Sequence, residues 1–185
     1  MQSRSGIGYG SRNRFYQDTL AKNYDESYLY VFSFIKPIEG LSLGANIEKA
    51  DAIAYDEELL GEFLRISPEV TWQINQHWRA QIIHENIDFD LVDGDLFDAK
   101  ITNLRLTYQI DILSFVRFTH QDFTEDNRDG RERASSNQLL YSYKINPQTL
   151  FYAGYSDQTE QNIGFVKPTD TGKNLFMKFS YAWQL

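Results

Sequence analysis

In "KNLFMKFSYAWQL", Met177, Phe179, Tyr181, Trp183 and Leu185 take every second position, with Lys178, Ser180, Ala182 and Gln184 between them. A period of two belongs to an extended strand with two unlike faces and is incompatible with a helix. The alternation recurs along the chain. Leu64, Ile66, Val70, Trp72 and Ile74 oppose Arg65, Ser67, Glu69, Thr71 and Gln73. Leu104, Leu106, Tyr108 and Ile110 oppose Asn103, Arg105, Thr107 and Gln109, and Leu139, Tyr141, Tyr143 and Ile145 oppose Ser142 and Lys144. The fold class is therefore all-β.

Turn chemistry divides the alternating stretches into hairpins. Strands are predicted at 27–37, 41–54, 62–75, 78–90, 99–111, 113–124, 134–146, 149–160 and 173–185, with a weaker one at 5–15. The region 1–26 is the least strand-like part of a single domain spanning 1–185. "YLYVFSF" is apolar on both faces, "LFYAGYS" is ambiguous, and "WRAQIIHENID" sets Ile83 among polar neighbours. Pro68 deletes a ladder hydrogen bond and predicts a bulge. About ten strands is an even number, as single-chain bacterial outer-membrane barrels require.

The predicted connections alternate in length. "PIEG", "NQH", "DI" and "NPQ" are short, whereas 16–26, 55–61, 91–98, 125–133 and 161–172 are longer and polar. Short turns at one rim and long loops at the other match an antiparallel up-and-down transmembrane β-barrel, the short side periplasmic. The barrel is either complete within these strands or part of a larger one. Its apolar face would meet lipid. Its lumen would hold Glu48, Arg65, Glu69, Arg79, Glu85, Arg105, Arg117, Lys144 and Lys178, pairing across strands in a narrow or filled interior. Alternation alone fits a second fold equally: a soluble β-barrel with the charges outside and an apolar ligand in an aromatic core.

Composition narrows the choice of partners. A formal net charge of −8 over 185 residues leaves no basic stripe for nucleic acid. The absence of Cys removes disulfides, thiolate metal sites and Cys nucleophiles. No run of about 18 apolar residues marks a membrane helix, but a spanning barrel hides its lipid face in alternation. Aromatic residues make up 15% of the chain, enough to supply interfacial girdles. "MQSRSGIGYGSRNRF" has no apolar h-region, so an exported chain would be a mature or truncated form, and a cytosolic one needs no leader.

Met177, Phe179, Tyr181, Trp183 and Leu185 resemble the terminal assembly signal of outer-membrane barrels, with Leu185 where Phe is more usual. That resemblance implies the barrel-assembly machinery and outer-membrane lipid as partners. "NLRLTYQIDILSFVRFTHQD", "NQLLYSYKINPQTLFYAGYSD" and "NLFMKFSYAWQL" are similar, in order and spacing, to the C-terminal region of a bacterial family of outer-membrane-associated proteins. Its members begin with a carbohydrate-binding, family-9-like module and continue into a barrel domain of unknown function. The resemblance covers residues 27–185. It implies a bacterial outer-membrane domain, non-enzymatic and without cofactor, that anchors a larger cell-surface protein or forms a narrow conduit through the membrane. Any carbohydrate would be bound by the N-terminal module, which this sequence lacks.

No catalytic or metal-binding motif stands out in the sequence. Three His at unhelpful spacing do not make a metal site. "DFDLVDGD" is acidic but lacks the twelfth-position Glu and the helices of an EF-hand. His84 with Glu85 and Asp88, or His120 with Asp122, would imitate the rim pairs of outer-membrane proteases, provided that the side chains meet around a water.

Overall fold

A computed structural model of the chain describes residues 1–17, 21–55, 57–92, 94–146, 149–161 and 169–181. These form ten strands: β1 (Gln2–Gln17), β2 (Ala21–Ile38), β3 (Leu41–Ala54), β4 (Leu59–Gln73), β5 (Trp78–Leu91), β6 (Gly94–Gln109), β7 (Ser114–Asn127), β8 (Gly130–Asn146), β9 (Thr149–Gln161) and β10 (Thr169–Tyr181). They lie in one antiparallel up-and-down sheet, each strand beside its neighbours in sequence. No helix occurs among the described residues.

The alternating cores of all ten predicted segments are strands, but the long polar loops are not loops. β2 begins at Ala21, β4 at Leu59, β6 at Gly94 and β8 at Gly130, and β7 runs on to Asn127. Main-chain ladders do not depend on side-chain polarity, and polar cross-strand pairs carry the hairpins onward. Such pairs include Asn13–Asp25 at 2.7 Å, Ser135–Thr159 at 2.8 Å and Arg131–Asp126 at 2.7 Å. The expected contrast of loop lengths thus becomes a contrast between apolar and polar ends of long strands. Of the 161–172 connection, 162–168 lie outside the described residues, as do Pro147 and Gln148 of "NPQ" and the last four residues of the predicted final strand.

One further expectation is corrected. Pro68 makes no bulge: Ala45 pairs with Pro68 in unbroken register, and β4 keeps one register against β5 on either side of it. The missing N–H costs a ladder bond without adding a residue. Register shifts fall instead at Ile35/Ile38, Phe89/Asp90, Lys144/Asn146 and Asp170/Gly172. Nor does the sheet close on itself among the described residues, since β1 pairs with β2 and β10 with β9.

Strand β1 owes its place to its glycines. Gly6, Gly8 and Gly10 lie under the rings of Phe32, Tyr30 and Tyr28 on β2, and a Cβ on Gly6 would sit 2.5 Å from the Phe32 ring. Aromatic rings laid over strand glycines cover backbone that would otherwise have no side chain to pack.

At one rim the turns are stitched together. Asn75 Oδ1 accepts from the N–H of His77 and Trp78, both at 2.9 Å, and Asp111 Oδ1 accepts from Leu113 at 2.7 Å and Ser114 at 2.8 Å. Each turn also receives a backbone bond from the next hairpin: Gln73 N–H to Gly40 O, Gln109 N–H to His77 O, and Lys144 N–H to Leu113 O, at 2.7–2.8 Å.

Burial is sparse. No side chain is fully buried, and the only buried hydrophobic cluster joins Ala54, Phe89 and Leu91 among the described residues. The accessible surface is 12824 Å², against roughly 9,000 Å² for a globular soluble chain of this size.

Candidate functional site

One-to-one pairing lets each face be followed from strand to strand. The first face, towards the stitched rim, carries Leu41, Leu43, Trp72, Ile74, Trp78, Ile82, Leu106, Tyr108, Phe118, Leu139, Tyr143, Met177 and Phe179, with Ile7 and Tyr9 on β1. Most of them are solvent-exposed. Trp78 and Tyr108 pack at 4.7 Å beside the turns. Ser5 and Ser33 lie within this band and bond each other at 2.9 Å.

Further along the same strands the first face turns polar. Ser27 bonds Asp51 at 2.6 Å, Lys49 pairs with Glu62 at 2.7 Å, and His84 bonds Thr102 at 2.8 Å. On the second face the order reverses. Its far half holds Phe63, Phe89 and Phe97, edge to face at 6.3 and 5.7 Å. Its near half carries the charges, with the rings of Phe32, Phe34 and Phe115 on the same side.

The border between the bands is oblique. The apolar run ends at Tyr9, Leu29, Ile47 and Leu64 on β1–β4, at Ile82 and Leu104 on β5 and β6, and at Phe118, Leu139, Tyr155 and Leu175 on β7–β10. In register, Leu175 lies level with Trp72, so the border moves eight residues along β4 between the two edges. At ~3.3 Å per residue and ~4.8 Å per strand, that slope is about 30°.

All nine residues expected in a lumen share the second face by register: Glu48, Arg65, Glu69, Arg79, Glu85, Arg105, Arg117, Lys144 and Lys178. Their expected pairing holds only in part. Arg65 binds Glu48. Glu69 accepts instead from Gln81 at 2.8 Å and Thr71 at 3.1 Å. Arg79, Arg105 and Arg117 line one cavity of about 350 Å³, with Phe115, His77 and four glutamines and no carboxylate. Strand register is what brings like charges together here, and no single strand's sequence carries that information.

Of the terminal signal, Met177, Phe179 and Tyr181 project from the first face of β10, 73%, 63% and 58% exposed, whereas Trp183 and Leu185 lie outside the described residues. Neighbouring residues on a strand point to opposite faces, so His84 and Glu85 do not meet. His84 bonds Thr102 and Asn86. His120 does meet Asp122, at 2.9 Å, and its other nitrogen faces Asn137 Oδ1 at 2.8 Å. Asn137 in turn donates to Asp157 at 2.9 Å. Both ring nitrogens of His120 are thus engaged by side chains.

Compared with known proteins, the sequence matches no family model and no curated protein.

Proposed function

We propose that this chain is a β-barrel domain of the bacterial outer membrane, non-enzymatic, anchoring a larger cell-surface protein or forming a narrow conduit for it. The observation that carries this reading is the reversal of polarity half-way along the strands. Near the stitched rim the apolar side chains are on the first face and the charges on the second. Beyond the oblique border the aromatic cluster of Phe63, Phe89 and Phe97 is on the second face and many polar pairs are on the first, although Arg12 and Arg14 meet Glu26 on the second. One solvent cannot account for both halves. Lipid against the first half and water against the rest accounts for both. The border's slope of about 30° is near the strand tilt of roughly 35–45° in membrane barrels. Strands of 13 to 18 residues exceed the ~9–11 needed to cross the hydrocarbon. Trp78, Tyr108 and Tyr143 then form the girdle at the stitched, periplasmic rim.

Hydrocarbon leaves no strand edge unpaired, so in the membrane β1 and β10 pair with each other or with further strands of a larger barrel. The family resemblance adds a carbohydrate-associated parent protein and the barrel-assembly machinery as partners. Expression without detergent tests the reading. The chain is expected in the membrane fraction or in aggregates, and to fold on transfer to detergent or vesicles. A soluble, monodisperse, β-rich product would overturn it.

A further inference from the structure

The charged face holds one cavity whose chemistry points to a ligand. We propose that the pocket walled by Arg79, Arg105 and Arg117 binds a small multivalent oxyanion of the phosphate class. Arg79 and Arg117 sit in one row, both opposite Thr107, and Arg105 stands two residues along the central strand. Their Cα atoms thus form a triangle with sides of roughly 7–10 Å, within reach of one anion by three long side chains.

Among the described residues none of the three is paired with a carboxylate. Arg105 contacts Gln81 Oε1 at 3.5 Å, and Arg117 contacts Thr107 Oγ1 at 3.4 Å and lies 4.8 Å from the Phe115 ring. Four other arginines are matched to carboxylates: Arg12 and Arg14 to Glu26, Arg65 to Glu48, Arg131 to Asp126. Glu69, on the far side of Gln81 from Arg105, accepts from Gln81 and Thr71. Carboxylates outnumber basic residues in this chain, 26 to 18, yet the cavity lining includes none.

Guanidinium groups present paired N–H donors that match phosphate oxygens two at a time, and the anion relieves the repulsion among them. About 350 Å³ admits a phosphate with its remaining waters, or a phosphate carried on a small solute. The site is read from the cavity alone and does not depend on which solvent meets the first face.

The test is titration of the folded full chain in nonionic detergent with inorganic phosphate, followed calorimetrically at constant ionic strength. Saturable binding is expected, weakened at least about tenfold when Arg79, Arg105 and Arg117 are all changed to Gln. The triple Lys variant, which keeps the charge, retains part of it. Arg65→Gln, with its guanidinium already committed to Glu48, leaves it within about twofold. Arg79→Gln alone serves if the triple variant loses its β-sheet circular dichroism. Equal binding in the Gln variants, no saturable binding by the folded wild type, or equal competition by chloride would each overturn the proposal.

Discussion

Placing an arginine at Leu106 separates a lipid-facing surface from a wet one. Leu106 is the middle of three apolar residues on the first face of β6, between Leu104 and Tyr108, and lies level with Ala80 and Phe118 on the flanking strands. That puts it near the centre of the apolar band. In a bilayer, Leu106→Arg should cost roughly 2–4 kcal/mol near the midplane, which is about 30- to 700-fold in the folding equilibrium. Two controls on the same strand bracket it. Thr102→Arg, on the same face beyond the border, should cost about 0–1 kcal/mol. Asn103→Arg, on the second face and level with Glu69, introduces a cation near a carboxylate and avoids lipid. Reversible denaturant unfolding in vesicles, followed through Trp72 and Trp78, gives the three differences directly. In water, all three substitutions at such half-exposed positions would stay within roughly 1 kcal/mol of one another. Equal tolerance at Leu106 and Thr102 would refute the assignment of faces.

The remaining expectations concern β1 and His120. Gly6→Val places a branched side chain where a Cβ already meets the Phe32 ring at 2.5 Å. It should cost about 1–3 kcal/mol by overpacking, partly recovered in the double variant with Phe32→Ala; an unchanged unfolding midpoint would remove the ring-over-glycine account. Asn137 Oδ1 faces a ring nitrogen of His120 and its amide donates to Asp157. Asn137→Ala should lower stability by about 0.5–1.5 kcal/mol in denaturant unfolding, and an unchanged midpoint would count against these contacts.

What was legible in the sequence follows from what a period of two encodes. Alternation at Leu64–Ile74 or Leu139–Ile145 marks a strand and its faces, and for this reason all nine lumen candidates share one side. It does not mark where a strand stops. Segments such as "TEDNRDGRERA" read as loop because they are polar, yet they continue as hairpin through pairs such as Asp126 with Arg131. Nor does it value glycine correctly: "GIGYG" appears poor in apolar groups, and only its pairing with β2 reveals the rings that cover it. The arginine cavity was hidden for a similar reason. Arg79, Arg105 and Arg117 are each unremarkable on their own strands, and only inter-strand register decides that they meet one another before they meet Glu48 or Glu69.

The backbone bonds that join one turn to the next hairpin give the two ends of this sheet unequal mechanical roles. Gly40, His77 and Leu113 are carbonyl anchors for Gln73, Gln109 and Lys144, so along that rim each turn is tied to the hairpin beside it. Lengthening any of its turns would tear a bond from the neighbouring hairpin as well as from its own. At the opposite rim the turn at Arg128 and Asp129 is closed from within its own hairpin, by Asn127 Oδ1. Length can be added at that turn without disturbing the next pair of strands, unlike the turn at Tyr55 and Glu58, which Arg14 and Tyr24 hold from the neighbouring hairpin. The stitched rim fixes the spacing of adjacent hairpins, and the turn at Arg128 and Asp129 is where a chain of this design can accept new sequence.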